Sequence, residues 1–298
     1  MRVITWPVRQ LARLLSRLWR WLTRPFRRAA AWLEATFNPP EPEEASVAEA
    51  FSHTLRNPGD ILPHLDELRA RLIRAVLALV VAAAAAFVFA QPLLEFLAAP
   101  IGGLGALEAI EVTEPVGVYM RVSLLAGVTL AMPFILFQIY QFIAPGLKRS
   151  ERRAVLLIVP FATILFAMGL AFTYLIMLPP TIPFLLNFGG IRTIPRPDNY
   201  FKFVTGLMFW IGVSFQMPLI IYGLAAVGLV KTRFLAGNWR IAVILIAILS
   251  AAVTPTVDPV TMGLVMLPLL VLYFLSIVLS AVAQRDRERR LARASLEG

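Results

Sequence analysis

The sequence predicts an all-α integral membrane protein, with six transmembrane helices in a curved, concave bundle. Three observations carry this. Apolar residues make up 59% of the 298 and charged residues only 15%, too few to solvate a water-facing surface. The charges are also segregated: between Ala75 and Ala144 the one basic residue is Arg121, whereas the first 28 residues carry eight arginines and no acid. Six apolar segments, separated by polar connections, fill the chain from about residue 71 to residue 282.

Residues 1–37 read as a basic amphipathic extension. Arg9, Arg13, Arg17, Arg20 and Arg24 share one helical face, Leu11, Leu14, Leu15, Leu18 and Leu22 fill another, and Trp6, Trp19 and Trp21 sit at the boundary. That pattern suits a helix lying in the headgroup region with its arginines on anionic lipid, as an anchor or partner contact, and it equally suits a dispensable cytosolic extension. No uninterrupted apolar core precedes a small-residue cleavage site, which argues against a cleaved targeting segment. Residues 38–60 mix Pro39, Pro40 and Pro42 with Glu41, Glu43 and Glu44 and end in Asn57-Pro58-Gly59, a composition that buries no core and reads as a linker. The membrane domain is expected over residues 61–284 and a charged cytoplasmic tail over residues 285–298.

The six segments run over about residues 71–90, 116–141, 154–178, 203–230, 241–253 and 260–282. At about 1.5 Å per residue, a ~30 Å hydrocarbon layer needs about 20 residues, so all but the fifth are long enough. The fifth and sixth are expected to form a short hairpin across the turn from Thr254 to Pro259, falling short of the full layer and thinning the bilayer beside it. Pro133, Pro160, Pro218 and Pro268 lie inside segments two, three, four and six. Each removes a backbone donor and bends its helix, and bent helices pack as a curved bundle.

Basic residues fix the expected orientation. The connection after segment one carries Glu95, Glu108, Glu111 and Glu114 with no basic partner, whereas the one after segment two carries Lys148, Arg149, Arg152 and Arg153. Lys231, Arg233 and Arg240 flank the fourth connection, and five arginines follow Gln284. This alternation predicts a multi-pass protein of the plasma (inner) membrane with both termini cytoplasmic. The third connection, with Arg192, Arg196 and Lys202 against Asp198, is the exception. Arg121 is expected to snorkel to the acidic surface beside it.

Several chemistries are excluded. There is no cysteine, and the two histidines, His53 and His64, leave no material for a histidine-rich metal centre or a serine-histidine triad. No enzyme activity, metal or cofactor is expected. A net charge of +10 beside long uncharged runs fits contact with anionic lipid better than with nucleic acid. A six-helix secondary transporter for a small solute is the main alternative, but such folds show an inverted repeat and polar or broken helices converging at mid-depth. The embedded polar residues are few: Gln138 and Gln141 end segment two, and Gln216 lies within segment four, as a contact for another helix or satisfied within the bundle.

Two acids at the cytoplasmic face carry the functional reading. His64 to Leu72 reads HLDELRARL, with Glu67 four residues before Arg71; Phe142 to Arg153 reads FIAPGLKRSERR, with Glu151 the one acid among four bases. Singly, each is an ordinary helix start with an acid in the first turn. The alternation of connections, however, puts both on one side of the membrane. Two carboxylates at headgroup level can receive guanidinium forks from a peptide, each charge-assisted bond worth about 1.5–3 kcal/mol, and lysine does not reproduce the fork.

These motifs, followed by GVSFQMPL from Gly212 to Leu219 and VTPTVDPVTM from Val253 to Met262, resemble the TatC subunit of the twin-arginine protein translocase, over roughly residues 62–284. The resemblance implies a six-helix receptor for twin-arginine signal peptides of folded cargo. It implies an oligomeric complex with single-span TatA-type and TatB-type partners and passage driven by the proton gradient. It places signal-peptide binding at Glu67 and Glu151, with Arg69, Phe142 and Pro145 in neighbouring motif positions. Partner docking falls near Gln216, Thr254, Asp258 and Met262, and Pro100 matches the proline that ends the first apolar segment. Gln216 stands where the family often has glutamate, and Met262 where it often has glutamine.

Overall fold

The computed structural model describes residues 61–143, 149–190, 193–254 and 259–297, and every regular element among them is helical. The amphipathic start, the linker, Pro145 and Asp258 lie outside the described residues.

Helix α1 spans Ile61–Val88, and after a break at Phe89 the chain continues as α2, Ala90–Ala98. The first apolar segment is therefore longer than expected, because Ala90, Leu94, Leu97 and Ala98 have protein to bury against. It ends at Pro100, inside a single 3-10 turn, where Gly102 and Gly103 take φ of 99° and 97° and reverse the chain. Helix α3, Glu114–Ile143, contains Pro133, and α4, Arg149–Phe172, contains Pro160. A π turn over Thr173–Met177 then leads into α5, Leu178–Leu186. The third segment thus continues past Leu178, although Pro179 and Pro180 follow at once. The widened turn absorbs the two missing donors, and both prolines fall in the first turn of α5, where no donor is needed.

The fourth segment is two helices, α6 over Pro197–Ser214 and α7 over Met217–Val227, where one bent helix was expected. Pro218 is responsible: it has no N–H for the Ser214 carbonyl four residues back, and α6 stops at Ser214. Helix α8, Thr232–Gly237, precedes α9, Trp239–Val253, whose 15 residues confirm the short fifth span. Helix α10 runs over Pro259–Glu297 and contains Pro268. Its 39 residues make the hairpin short on one arm only, and the expected tail is a continuation of the helix. Residues 285–297 hold no Gly or Pro and mix arginine with acid, alanine and leucine, which sustains helix beyond the apolar run. Five spans are long and apolar enough to cross a membrane, with α9 the shorter sixth.

Helix α3 is the hub, packing along α1 and also against α4 and α6, while α10 packs on α7 and α9. Two crossings require glycine. A Cβ on Gly127 of α3 would stand 2.6 Å from the Cα of Ala83 on α1, and one on Gly169 of α4 would stand 2.8 Å from the Cα of Gly212 on α6. Membrane helices approach this closely through small residues because lipid supplies little hydrophobic drive between them. Phe166, Phe201, Leu207, Ile211 and Val265 fill the interior beyond these crossings. Three buried hydroxyls are satisfied by the turn before them: Thr173, Thr181 and Thr205 donate to the carbonyls of Gly169, Met177 and Phe201.

Candidate functional site

The first turns of α1 set Glu67 and Arg71 one helical turn apart, on the side that faces α3. Arg71 Nε donates to Glu67 Oε1 at 2.9 Å, and Nη2 donates to the same oxygen. Arg71 Nη1 donates to Gln141 Oε1 at 2.7 Å, which ties the start of α1 to the end of α3. The Glu67 side chain keeps 33% exposure against 16% for Arg71, so the carboxylate is the more accessible partner. Phe142, half-buried, follows Gln141, and Gln138, one turn deeper on the same face, is buried with Oε1 unpartnered. Arg69 is exposed.

Glu151 lies in the first turn of α4, which starts six residues after Ile143, so its helix begins at the end of the bundle where Glu67 sits. The Glu151 side chain and Pro145 lie outside the described positions. The structure thus brings together Glu67, Arg71 and Gln141. Sequence reasoning found the Glu67 and Arg71 pair from its spacing, but not Gln141 as Arg71's second partner. No local spacing signals a contact between residues 70 apart.

The opposite end of the bundle carries ion pairs that correct one expectation. Arg196 donates through Nε to Glu114 Oε1 at 2.8 Å and through Nη2 to Glu111 Oε1 at 2.8 Å. Two acids of the first connection, Glu111 and Glu114, therefore do have a basic partner, supplied by the third connection. Arg121 reaches the same end, where its side chain is 37% exposed and its Nη1 donates to the Asp198 carboxylate. Of the bases that made the third connection an exception, Arg196 is neutralised within the protein. Hydrogen bonds to Glu111 and Glu114 raise the Arg196 pKa above its ordinary value, so it stays charged at every physiological pH.

Gln216, at the break between α6 and α7, donates through Nε2 to the Ala162 carbonyl at 3.1 Å and is 6% exposed, which is the intramolecular arrangement. Thr254 is buried and donates to the Ser250 carbonyl at 2.9 Å, and Met262, in the first turn of α10, is half-buried. An apolar recess of about 310 Å³, lined by Trp210, Met217, Leu249, Val253 and Val265 among others, opens between the α6–α7 break and the α9–α10 hairpin. No cluster of three or more potential metal ligands occurs among the described residues.

A family model described as Sec-independent protein translocase protein (TatC) matches residues 63–268. This chain belongs to the TatC family. A TatC protein of Deinococcus radiodurans is 36% identical over 263 residues, covering 84% of this chain and 97% of that protein. The chloroplastic TATC protein of Arabidopsis thaliana is 39% identical over 216 residues, covering 72% of this chain and 64% of that protein. A solved structure, the twin-arginine translocase receptor TatC, superposes with a TM-score of 0.67 at 34% identity, covering 74% of this chain and 99% of that one. As a TatC protein the chain is a multi-pass membrane subunit of the twin-arginine translocase, working with other translocase components, and belongs to a non-enzymatic family. The small-solute transporter reading gives way to it.

Proposed function

We propose that this TatC chain is the membrane receptor and core subunit that binds the twin-arginine signal peptides of folded cargo at the cytoplasmic face. Glu67 and Glu151 accept the arginines, flanked by Arg69, Phe142 and Pro145. The observation that carries the reading is the guanidinium of Arg71 seated on Glu67 Oε1 through Nε and Nη2: this carboxylate already holds a guanidinium, the group a cargo arginine presents. The basic residues from Lys148 to Arg153 support a cytoplasmic location for this end, in the plasma (inner) membrane with both termini cytoplasmic.

Single-span TatA-type and TatB-type partners then gather in an oligomeric complex, and the proton gradient drives the folded cargo through. The α9–α10 hairpin is the docking side, at Thr254, Asp258 and Met262. The apolar recess beside Met217, the residue after Gln216, supports this, because a single apolar helix requires apolar lining. The basic start of the chain rests on anionic lipid.

The test is site-specific crosslinking of a twin-arginine signal peptide to inverted vesicles that contain the protein. Replacing Glu67 and Glu151 together by alanine is expected to abolish the crosslink, and changing the peptide's arginines to lysines to weaken it. An undiminished crosslink in the double variant refutes the assignment.

A further inference from the structure

We infer that Arg71 is a resident guanidinium that occupies the cargo-binding carboxylate until a signal-peptide arginine displaces it, and so sets the affinity threshold for recognition. This rests on the reading of Glu67 as a signal-peptide acceptor. Arg71 places Nε and Nη2 on Glu67 Oε1, the two-donor approach that distinguishes arginine from lysine. An incoming arginine fork spans both carboxylate oxygens, so it needs Oε1 and displaces Arg71 from it.

Two features make the exchange feasible. Helical pairs four residues apart are weakly held, so a second fork competes readily with the first. The displaced guanidinium also keeps a partner, because Nη1 already donates to Gln141 Oε1 at 2.7 Å on the neighbouring helix. Gln141 thus offers a parking position, and Arg71 need not be stranded in a half-buried site when it leaves Glu67. The exposures agree with this order of events: approach from outside meets the 33% exposed Glu67 before the 16% exposed Arg71.

The device acts on affinity and not on preference. Displacing Arg71 weakens every ligand by the same factor, so the ratio of arginine to lysine affinity stays constant while both fall. A lysine ligand, which binds as a point charge, then drops out of the working range and an arginine ligand stays within it.

The experiment measures dissociation constants of labelled twin-arginine and twin-lysine signal peptides for the full-length protein in lipid nanodiscs. R71A is expected to tighten both peptides about three- to ten-fold, the range for releasing a partly exposed helical ion pair, with their ratio unchanged. R71K, which keeps the charge but not the fork, is expected to tighten both by a smaller factor. A structural lesion does not tighten binding, so the sign of the change separates displacement from damage. Weaker or unchanged binding of the twin-arginine peptide in both variants overturns the inference, with Arg71 then holding Glu67 in place. Undiminished binding in E67A instead removes the reading beneath it.

Discussion

Arg196 on the third connection donates through Nε to Glu114 at the start of α3, across a distance of 2.8 Å and 82 residues of sequence. Glu114 is only 3% exposed at its side chain, and its Oε1 also accepts from the backbone N–H of Glu111. The pair therefore clamps two connections at the end of the bundle remote from Glu67. R196A is expected to lower the melting temperature of the detergent-solubilised protein, because it leaves a buried carboxylate without its counter-charge. R196A combined with E114Q is expected to recover part of the loss. Full additivity of the two substitutions would show that they do not form one unit.

Gly127 is seated against the backbone of α1. G127A places a methyl 2.6 Å from the Ala83 Cα, and since backbone cannot yield as a flexible side chain can, a loss of about 1–3 kcal/mol is expected in reversible unfolding. A83G removes only the Cβ contact at 2.7 Å and leaves the main-chain Cα and N at 2.6 and 2.7 Å, so it does not restore the loss in full. G206A is the control: nothing lies within 4 Å of its added methyl, and stability is expected to be unchanged or slightly raised.

At Gly228, which ends α7 with φ of 86°, an added Cβ would stand 2.4 Å from the Arg287 guanidinium. G228A costs about 1 kcal/mol for the left-handed conformation, with a smaller share from Arg287, whose exposed guanidinium can move aside. Adding R287A removes that smaller share alone. Thermal unfolding of the pair should therefore show partial rescue; complete rescue would mean that the backbone conformation carries no strain.

Gln216 donates one hydrogen bond to Ala162 while its Oε1 is buried without a partner. Q216L exchanges a bond worth about 1 kcal/mol for relief of the stranded oxygen, so stability within about 1 kcal/mol of the parent is expected. Q216A also opens a cavity and is expected to lose more. Equal losses in both would show that the amide itself holds α4 to the α6–α7 break.

Much of this architecture was legible because lipid leaves the chain few choices. The spans at α3, α4 and α10 were visible as long apolar runs, broken by charge only at Arg121, and the short fifth span as a run of too few residues. Pro218 announced a disruption, but whether a proline bends a helix or divides it depends on what covers the freed carbonyl, which is a tertiary matter. The same holds for Pro179 and Pro180, where the π turn over Thr173–Met177 let the helix go on. At the site, the four-residue spacing of Glu67 and Arg71 was readable and Gln141 was not. The charge count failed at the third connection for a related reason. It sums residues loop by loop, whereas Arg196 is neutralised by a different loop.

Helix α1 has α3 as its main neighbour, and Leu72, Val76, Leu77, Val80 and Val81 face away from the protein. Only 6% of its apolar window is buried inside the protein. The acyl chains are thus the second wall beside α1, and the thickness of the surrounding bilayer helps to set the level at which Glu67 is held, in the same sense as any side chain around it.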